Sequence, residues 1–299
     1  MEVIFLGTGA GVPSVERGLA CIALKYEGQL ILFDCGEGAQ RQMMRAHLGF
    51  GRRMKVFVTH LHGDHVLGVP GLLQTMSLLD RREKLEVYGP EGLAKFIATV
   101  KDQLRFNLRY PLEVLEVGEG VACRGEGFKI QARWVEHTIP TLAYAFIEDK
   151  KPGKFHPEKA LELQIPKGPM WHRLQHGRAV KLPGGRVVKP EEVVEPPSPG
   201  VKIVYSGDTR PCRCLTALAE EADLLIHEST FGDEFREAAE AELHSTPSQA
   251  ATLAKKAKVK RLILTHVSAR YRDPSILVSQ AREVFESVEV AEDFMRVIL

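Results

Sequence analysis

The densest chemistry in the sequence is Thr59-His60-Leu61-His62-Gly63-Asp64-His65, which sets three imidazoles and a carboxylate within six residues. Imidazole and carboxylate are ligands for zinc and other divalent first-row ions, and so many of them seldom cluster without metal. On a tight loop His60 and His62 can face one ion while Asp64 and His65 face a second. The motif follows a β-branched run over 55–59, so a buried strand would deliver it at its C-terminal end, where open sheets place their ligands. The competing reading is a polar loop of solvated histidines, which leaves that density without a cause.

A catalytic zinc takes about three protein ligands and keeps an open position, so further donors must come from elsewhere in the chain. His137 follows a strand ending Trp134-Val135, Asp208 lies in Ser206-Gly207-Asp208-Thr209, and His266 ends a run over 261–265. Each alone is weak evidence, since a lone histidine at a strand end is more often structural. Together they occupy matching strand-end positions, with Asp208 placed to bridge two ions through its two oxygens. Asp34, in Phe33-Asp34-Cys35-Gly36, is either a turn residue or a carboxylate accepting the spare N–H of a ligand histidine. His227-Glu228-Ser229-Thr230 and His244-Ser245-Thr246-Pro247 offer an acid and an imidazole for a relay in which Glu228 keeps His244 protonated for a leaving oxygen. The second of these reads equally as a helix N-cap. Gly7-x-Gly9-x-Gly11 faintly suggests a dinucleotide loop, but Val12 stands where the third glycine belongs.

The elements that must position these groups are short and alternate. Strands are expected over 3–6, 21–26, 30–33, 55–59, 85–88, 112–117, 128–135, 142–147, 201–205, 224–227 and 261–265, and helices over 37–47, 70–79, 91–104, 247–258 and 274–285. The class is α/β. Residues 56–61 are answered by 262–267, and 31–36 loosely by 203–208, which implies two similar halves. Residues 149–200 break the pattern: nine of the seventeen prolines and six glycines lie there, beside Phe155, Met170 and Trp171. This reads as an inserted arm or a flexible linker, and those apolar side chains would be unusual in a linker with nothing to contact.

A chain of 299 residues with 44% hydrophobic and 26% charged content is ordinary for one or two globular domains. No run of 18 apolar residues and no signal-peptide pattern is visible, so neither membrane spanning nor secretion is expected. Five cysteines without a C-x-x-C pair suggest no disulfide framework and fit a reducing cytosol. The net charge of +1 is unevenly spread: residues 150–190 carry ten Lys/Arg against two Glu, a local +8, and the remainder nets −7. Such a block is either a solvated segment or a handle for a polyanion.

The H-x-H-x-D-H signature at 60–65 resembles that of the metallo-β-lactamase superfamily, while His227-Glu228-Ser229-Thr230, His244-Ser245-Thr246 and the basic arm with Gly168-Pro169 resemble features of its tRNA 3′-processing endonucleases, the ribonuclease Z family. The resemblance spans residues 1–299. It implies an αββα sandwich as a single domain with a flexible arm at 149–200, a cytoplasmic homodimer whose arm serves the partner's site, and precursor tRNA as substrate. It further implies two zinc ions per chain, manganese and iron suiting the same donors: His60, His62 and His137 on one, Asp64, His65 and His266 on the other, Asp208 between. Asp64 would also orient or deprotonate the attacking water, with Glu228 and His244 assisting departure of the 3′ oxygen. Lys150, Lys151, Lys154, Lys159, Lys167, Arg173 and Arg178 would contact tRNA. The chain departs from the family at Pro13-Ser14-Val15-Glu16-Arg17-Gly18, which lacks the Lys and Asn of P-x-K-x-R-N. Rival readings are a small-ester hydrolase, which needs no basic arm; a di-iron oxygen reductase, disfavoured by His62 in place of Glu; and a non-catalytic RNA-binding module, disfavoured by the complete ligand set.

Overall fold

Some strands of this chain are buried on both faces: Gln29–Phe33 and Leu224–Glu228 are buried at every position, the pattern of a sheet covered on both sides. The computed structural model describes residues 1–150, 153–197 and 199–299. Among them, Met1–Ile147 with Lys202–Leu299 form one compact unit and Glu148–Val201 a second.

The larger unit contains two seven-stranded sheets. The first runs Arg296–Ile298, Glu2–Gly7, Cys21–Tyr26, Gln29–Phe33, Met54–Phe57, Leu85–Gly89, Leu112–Glu116. The second runs Val288–Val290, Leu262–Thr265, Leu224–Glu228, Lys202–Tyr205, Thr141–Glu148, Phe128–Val135, Gly120–Gly125. In each sheet four neighbouring strands pair in parallel, from Gln29–Phe33 to Leu112–Glu116 and from Lys202–Tyr205 to Val288–Val290. The internal echo thus places one copy in each sheet. The symmetry is incomplete, because Gln29–Phe33 and Met54–Phe57 are neighbours whereas Leu224–Glu228 separates their counterparts.

Aromatic rings join the sheets. Phe33 and Phe57 of the first lie 6.3 and 5.3 Å from Tyr144 of the second, and Tyr26 lies 5.6 Å from Phe128 and 5.1 Å from Phe146. The alternate side chains point outward to helices. Leu32, Val56 and Val87 pack under Ala39–Arg45, Gly68–Leu78 and Leu93–Gln103 through Met43, Leu72 and Ile97. Val204, Leu225 and Leu264 pack under Arg213–Leu218, Pro247–Lys256 and Ser275–Arg282 through Leu215, Ala251 and Leu277. The result is four layers, αββα.

The smaller unit has a core of its own, with Ala160, Ile165, Leu174, Val180, Val188 and Val193 buried and Phe155, Met170 and Trp171 packed on them. Two short helices, Pro157–Glu162 and Pro169–Gln175, each open on proline, and Val180–Lys181 pairs with Val187–Val188. Trp171 Nε1 donates to Ile165 O at 3.0 Å. The apolar side chains that are out of place in a bare linker therefore have partners. Lys150, Lys154, Lys159, Lys167, Arg173 and Arg178 are exposed, and Lys151 lies outside the described residues. The charge of the whole unit is smaller than that of its basic stretch. Over 148–201 the ten cations meet seven acids, a net +3, because Glu148 and Asp149 precede the basic stretch and Glu191, Glu192 and Glu195 follow it.

Candidate metal centre

The expected strand over 55–59 stops at Phe57, and the reason is Asp34. Its Oδ1 accepts the Thr59 N–H at 2.7 Å and the Thr59 hydroxyl at 3.0 Å, taking Thr59 out of the ladder. The chain then turns into the short helix Gly63–Val66 and runs on into Gly68–Leu78. Glycine is required at the join: a Cβ on Gly68 would stand 1.9 Å from Gly36 O. Close approach lets Cys35 N donate to His65 O and Gly68 N to Cys35 O, both at 2.9 Å, which fixes the Asp64-His65 backbone. Asp34 and His266 adopt left-handed φ of 58° and 55° directly after their strands. Non-glycine residues hold that conformation at a cost, and it concentrates at functional sites.

The seven residues singled out as donors are brought together. His60 Nε2 lies 3.0 Å from His62 Nδ1, which lies 3.2 Å from His137 Nε2. Beside this group His266 Nε2 lies 3.2 Å from both His65 Nε2 and Asp64 Oδ2. Asp208 Oδ2 stands between the groups, 3.3 Å from His65 Nε2, 3.4 Å from His266 Nε2, 3.7 Å from His60 Nε2 and 4.0 Å from His137 Nε2. Within each of the sets His60, His62, His137, Asp208 and Asp64, His65, His266 the ligand atoms lie within 4.8 Å of one another.

The far nitrogens of four of these imidazoles are occupied. His65 Nδ1 meets Asp34 Oδ2 at 2.7 Å, His266 Nδ1 meets Thr230 Oγ1 at 2.9 Å, His60 Nδ1 meets Thr59 Oγ1 at 2.9 Å, and His137 Nδ1 donates to Leu243 O at 3.2 Å. Asp34 thus serves both readings, turning the backbone and holding a histidine. Burial pushes His60, His62 and His137 down, toward the neutral form that can bind metal. Burial also opposes charge on His65, Asp64 and Asp208, but the acids beside His65 hold it up and the imidazoles hold both carboxyls below their usual range. Several ring nitrogens facing each other at hydrogen-bond distance cannot all be satisfied by protons. Asp208 Oδ1 is buried with no partner among the described residues. The donor set therefore fits divalent cations.

Glu228 is buried and accepts from His244 Nδ1 at 2.8 Å, Thr209 N at 3.0 Å, Thr230 Oγ1 at 2.8 Å and Ser245 N at 3.2 Å. Burial lowers the His244 pKa, but the Glu228 charge and hydrogen bond outweigh it and raise it to about 9. The His244 ring lies 4.9 Å from that of His137 and 5.8 Å from that of His266. Helix Pro247–Lys256 is capped by Thr246, whose N–H donates to Gln249 Oε1 at 3.0 Å, which leaves His244 free of that duty. Three contributors went unread in the sequence: Thr230 as the link between Glu228 and His266, Tyr205, whose hydroxyl donates to Asp34 Oδ2 at 2.8 Å, and Gly11, whose N–H donates to Asp64 Oδ2 at 2.8 Å. Thr230 is two residues beyond Glu228 on a strand-like path, a period that puts both on one side. Tyr205 carries no local signal.

Two mixed sheets face to face, helices outside and a His/Asp cluster at the strand ends define the metallo-β-lactamase fold. Residues 192–267 match the family described as a beta-lactamase superfamily domain, and residues 1–147 the family described as anti-Pycsar protein Apyc1. Ribonuclease Z of Methanosarcina acetivorans is 47% identical over 296 residues, covering 99% of this chain and 97% of its own. Ribonuclease Z of Nitrosopumilus maritimus is 44% identical over 297 residues, covering 99% of each. The crystal structure of human tRNase Z, short form, matches with a TM-score of 0.73 at 32% identity, covering 100% of this chain and 99% of its own. The chain belongs to the ribonuclease Z family of endoribonucleases.

Proposed function

We propose that this chain removes the 3′ trailer from precursor tRNA by hydrolysing one phosphodiester, leaving a 3′-hydroxyl on the tRNA, and that it does so with two zinc ions per chain. The observation that carries the reading is the convergence of two donor groups on Asp208 with the Glu228–His244 pair alongside. His60, His62 and His137 would hold one ion, Asp64, His65 and His266 the other, and Asp208 both. Such a pair, when bound, supplies an acidified water and positive charge against a pentacoordinate phosphoryl transition state.

The protein's own groups do the rest. Asp64, aimed by the Gly11 N–H, orients the attacking water and takes its proton. His244, oriented and kept protonated by Glu228, gives its proton to the departing 3′ oxygen of the tRNA. Lys150, Lys151, Lys154, Lys159, Lys167, Arg173 and Arg178 contact phosphates of the tRNA body and position it without reading bases. The larger unit is the catalytic domain and the inserted unit its tRNA-gripping arm, which in a homodimer serves the partner's site. Among the described residues no helix is long and apolar enough to cross a membrane, and the reading places the enzyme in the cytoplasm.

The test is incubation of purified protein with a 3′-extended precursor tRNA and mapping of both product ends. One cut beyond the acceptor stem, with a 3′-hydroxyl on the tRNA and a 5′-phosphate on the trailer, is expected. Scattered cuts, or none with metal supplied, would overturn the proposal.

A further inference from the structure

In the strand Phe128–Val135, Phe128, Ile130 and Ala132 are buried between the sheets, as the alternation of side chains requires. Trp134 is next on that same face, yet 37% of it is exposed. A large apolar ring is therefore carried on the inner face of the sandwich past the point where the opposite sheet covers it. What it meets is a groove of about 890 Å³, walled across from Trp134 by Glu91 and Gly92 after one strand and by Val117 and Gly118 after the next. These lie at the C-terminal ends of parallel strands, the end of the sheet that also carries the His/Asp cluster.

Two short links tie the walls of the groove to the metal centre. Trp134 and Pro140, which both line it, flank His137 by three residues on either side. Gly92 touches the metal loop: a Cβ there would stand 3.1 Å from Leu61 Cδ1, the residue between His60 and His62. The opposite wall is firmly held, because Glu116 Oε1 accepts the N–H groups of Gly92 and Ala94 at 2.9 and 3.0 Å. Among the described residues none of the lining side chains is basic, so the groove is not built for a phosphate. It offers an aromatic face with carboxylate acceptors opposite, which suits the flat, amino-bearing face and edge of a nucleobase.

We propose that Trp134 is a stacking platform for one unpaired base of the RNA strand next to the scissile phosphate, so that the groove between Trp134 and the 116–118 turn sets which phosphate reaches the metals. This rests on the ribonuclease reading of the adjoining site. It makes Trp134 a positioning residue, acting on where and how tightly the strand lies rather than on the chemical step.

Cleavage of 3′-extended precursor tRNA by Trp134→Ala and Trp134→Phe should be compared with substrates that carry an abasic nucleotide on either side of the cut. Aromatic stacking on a base predicts that Trp134→Ala raises KM between about fivefold and a hundredfold with a smaller effect on kcat, and that Trp134→Phe restores most of it. One abasic position should reproduce the loss in the wild type and add nothing in Trp134→Ala. An unchanged KM, or additive losses, would overturn the proposal; an unaltered unfolding transition of the Ala variant excludes misfolding as the cause. A second readout is independent of cleavage. In Trp171→Phe, Trp134 is the only tryptophan of the two in the chain, and a short single-stranded oligoribonucleotide should quench its fluorescence where an abasic one does not. Quenching without tRNA cleavage would leave the groove standing and remove the tRNA reading. Cleavage without quenching would do the reverse.

Discussion

A carboxylate buried as fully as Asp208 persists only where something neutralises it. Its Oδ2 faces four imidazoles and its Oδ1 has no partner among the described residues, so the cost of burial would be offset best by cations held between the two histidine groups, as proposed. Asp208→Ala should lower the metal content of chelator-free protein from about two per chain to one or fewer, read by plasma emission, with cleavage lost in parallel; retention of both ions would remove Asp208 from its place between them. The neighbouring Glu228–His244 pair yields a pH prediction. If the acid form of His244 serves the leaving oxygen, as proposed, the rate should fall as pH rises through the His244 pKa. Glu228 is what lifts that pKa to about 9 against the pull of burial. Glu228→Gln should therefore move the alkaline limb of the pH–rate profile to lower pH, and His244→Ala should cost about 10²- to 10⁴-fold in kcat while abolishing the limb. A limb that stays in place in both variants assigns it to another group. At this scale the sequence was most informative where ligands are neighbours in the chain. His60 to His65 announce themselves, whereas Tyr205 reaches Asp34 across 171 residues and nothing in its local sequence says so.

The elements show why some residues were legible and others not. Strands such as Cys21–Tyr26 and Phe128–Val135 coincide with their apolar runs because burial on one or both faces writes a pattern several residues long. Gly120–Gly125 is half exposed and bounded by glycines, while Val288–Val290 and Arg296–Ile298 are three-residue pieces at sheet edges, too short for a period of two to register. Helix Arg213–Leu218 has six residues and starts at Cys212, so it lacks both length and an N-cap signal. The Asp34 loop and the Gly63–Val66 turn act as one unit through Gly68, whose hydrogen has Gly36 O against it. Gly68→Ala should lower unfolding stability by about 1–3 kcal/mol or more and weaken metal retention, because the backbone that shifts carries His65. Gly51→Ala, where an added methyl meets nothing within 4 Å, is the control for urea titrations. Equal midpoints for the two variants would show that the close approach is not under constraint.

At the scale of the molecule, charge and architecture make separate statements about the inserted unit. Its core of Ile165, Leu174, Val180 and Val193 says that it folds, and its ten cations against seven acids over 148–201 say that its positive potential is patchy rather than uniform. Glu192 is paired with Arg186 at 3.1 Å and Glu195 with His156 at 2.8 Å, whereas Lys150, Lys154, Lys159, Arg173 and Arg178 are exposed and lie in the stretch that holds two of those seven acids. Removal of the unit is structurally simple, because Ile147 and Lys202 are register partners in neighbouring antiparallel strands. Replacing residues 149–200 by a short Gly/Ser turn closes a hairpin at that pair and leaves all seven donors in place. If the cations contact phosphates, full-length protein should bind precursor tRNA with an affinity that falls linearly with salt on logarithmic axes, at a slope near one unit per phosphate contact. The deletion should lose most of that slope and most of the affinity. Hydrolysis of a small chromogenic phosphodiester, which needs only the metal centre, should continue. Measured together, these outcomes separate three roles. Loss of both activities makes the unit a support for the catalytic fold. Unchanged tRNA cleavage makes its cations mere solvation. Loss of tRNA binding alone makes it the part of the molecule that recognises the substrate's size.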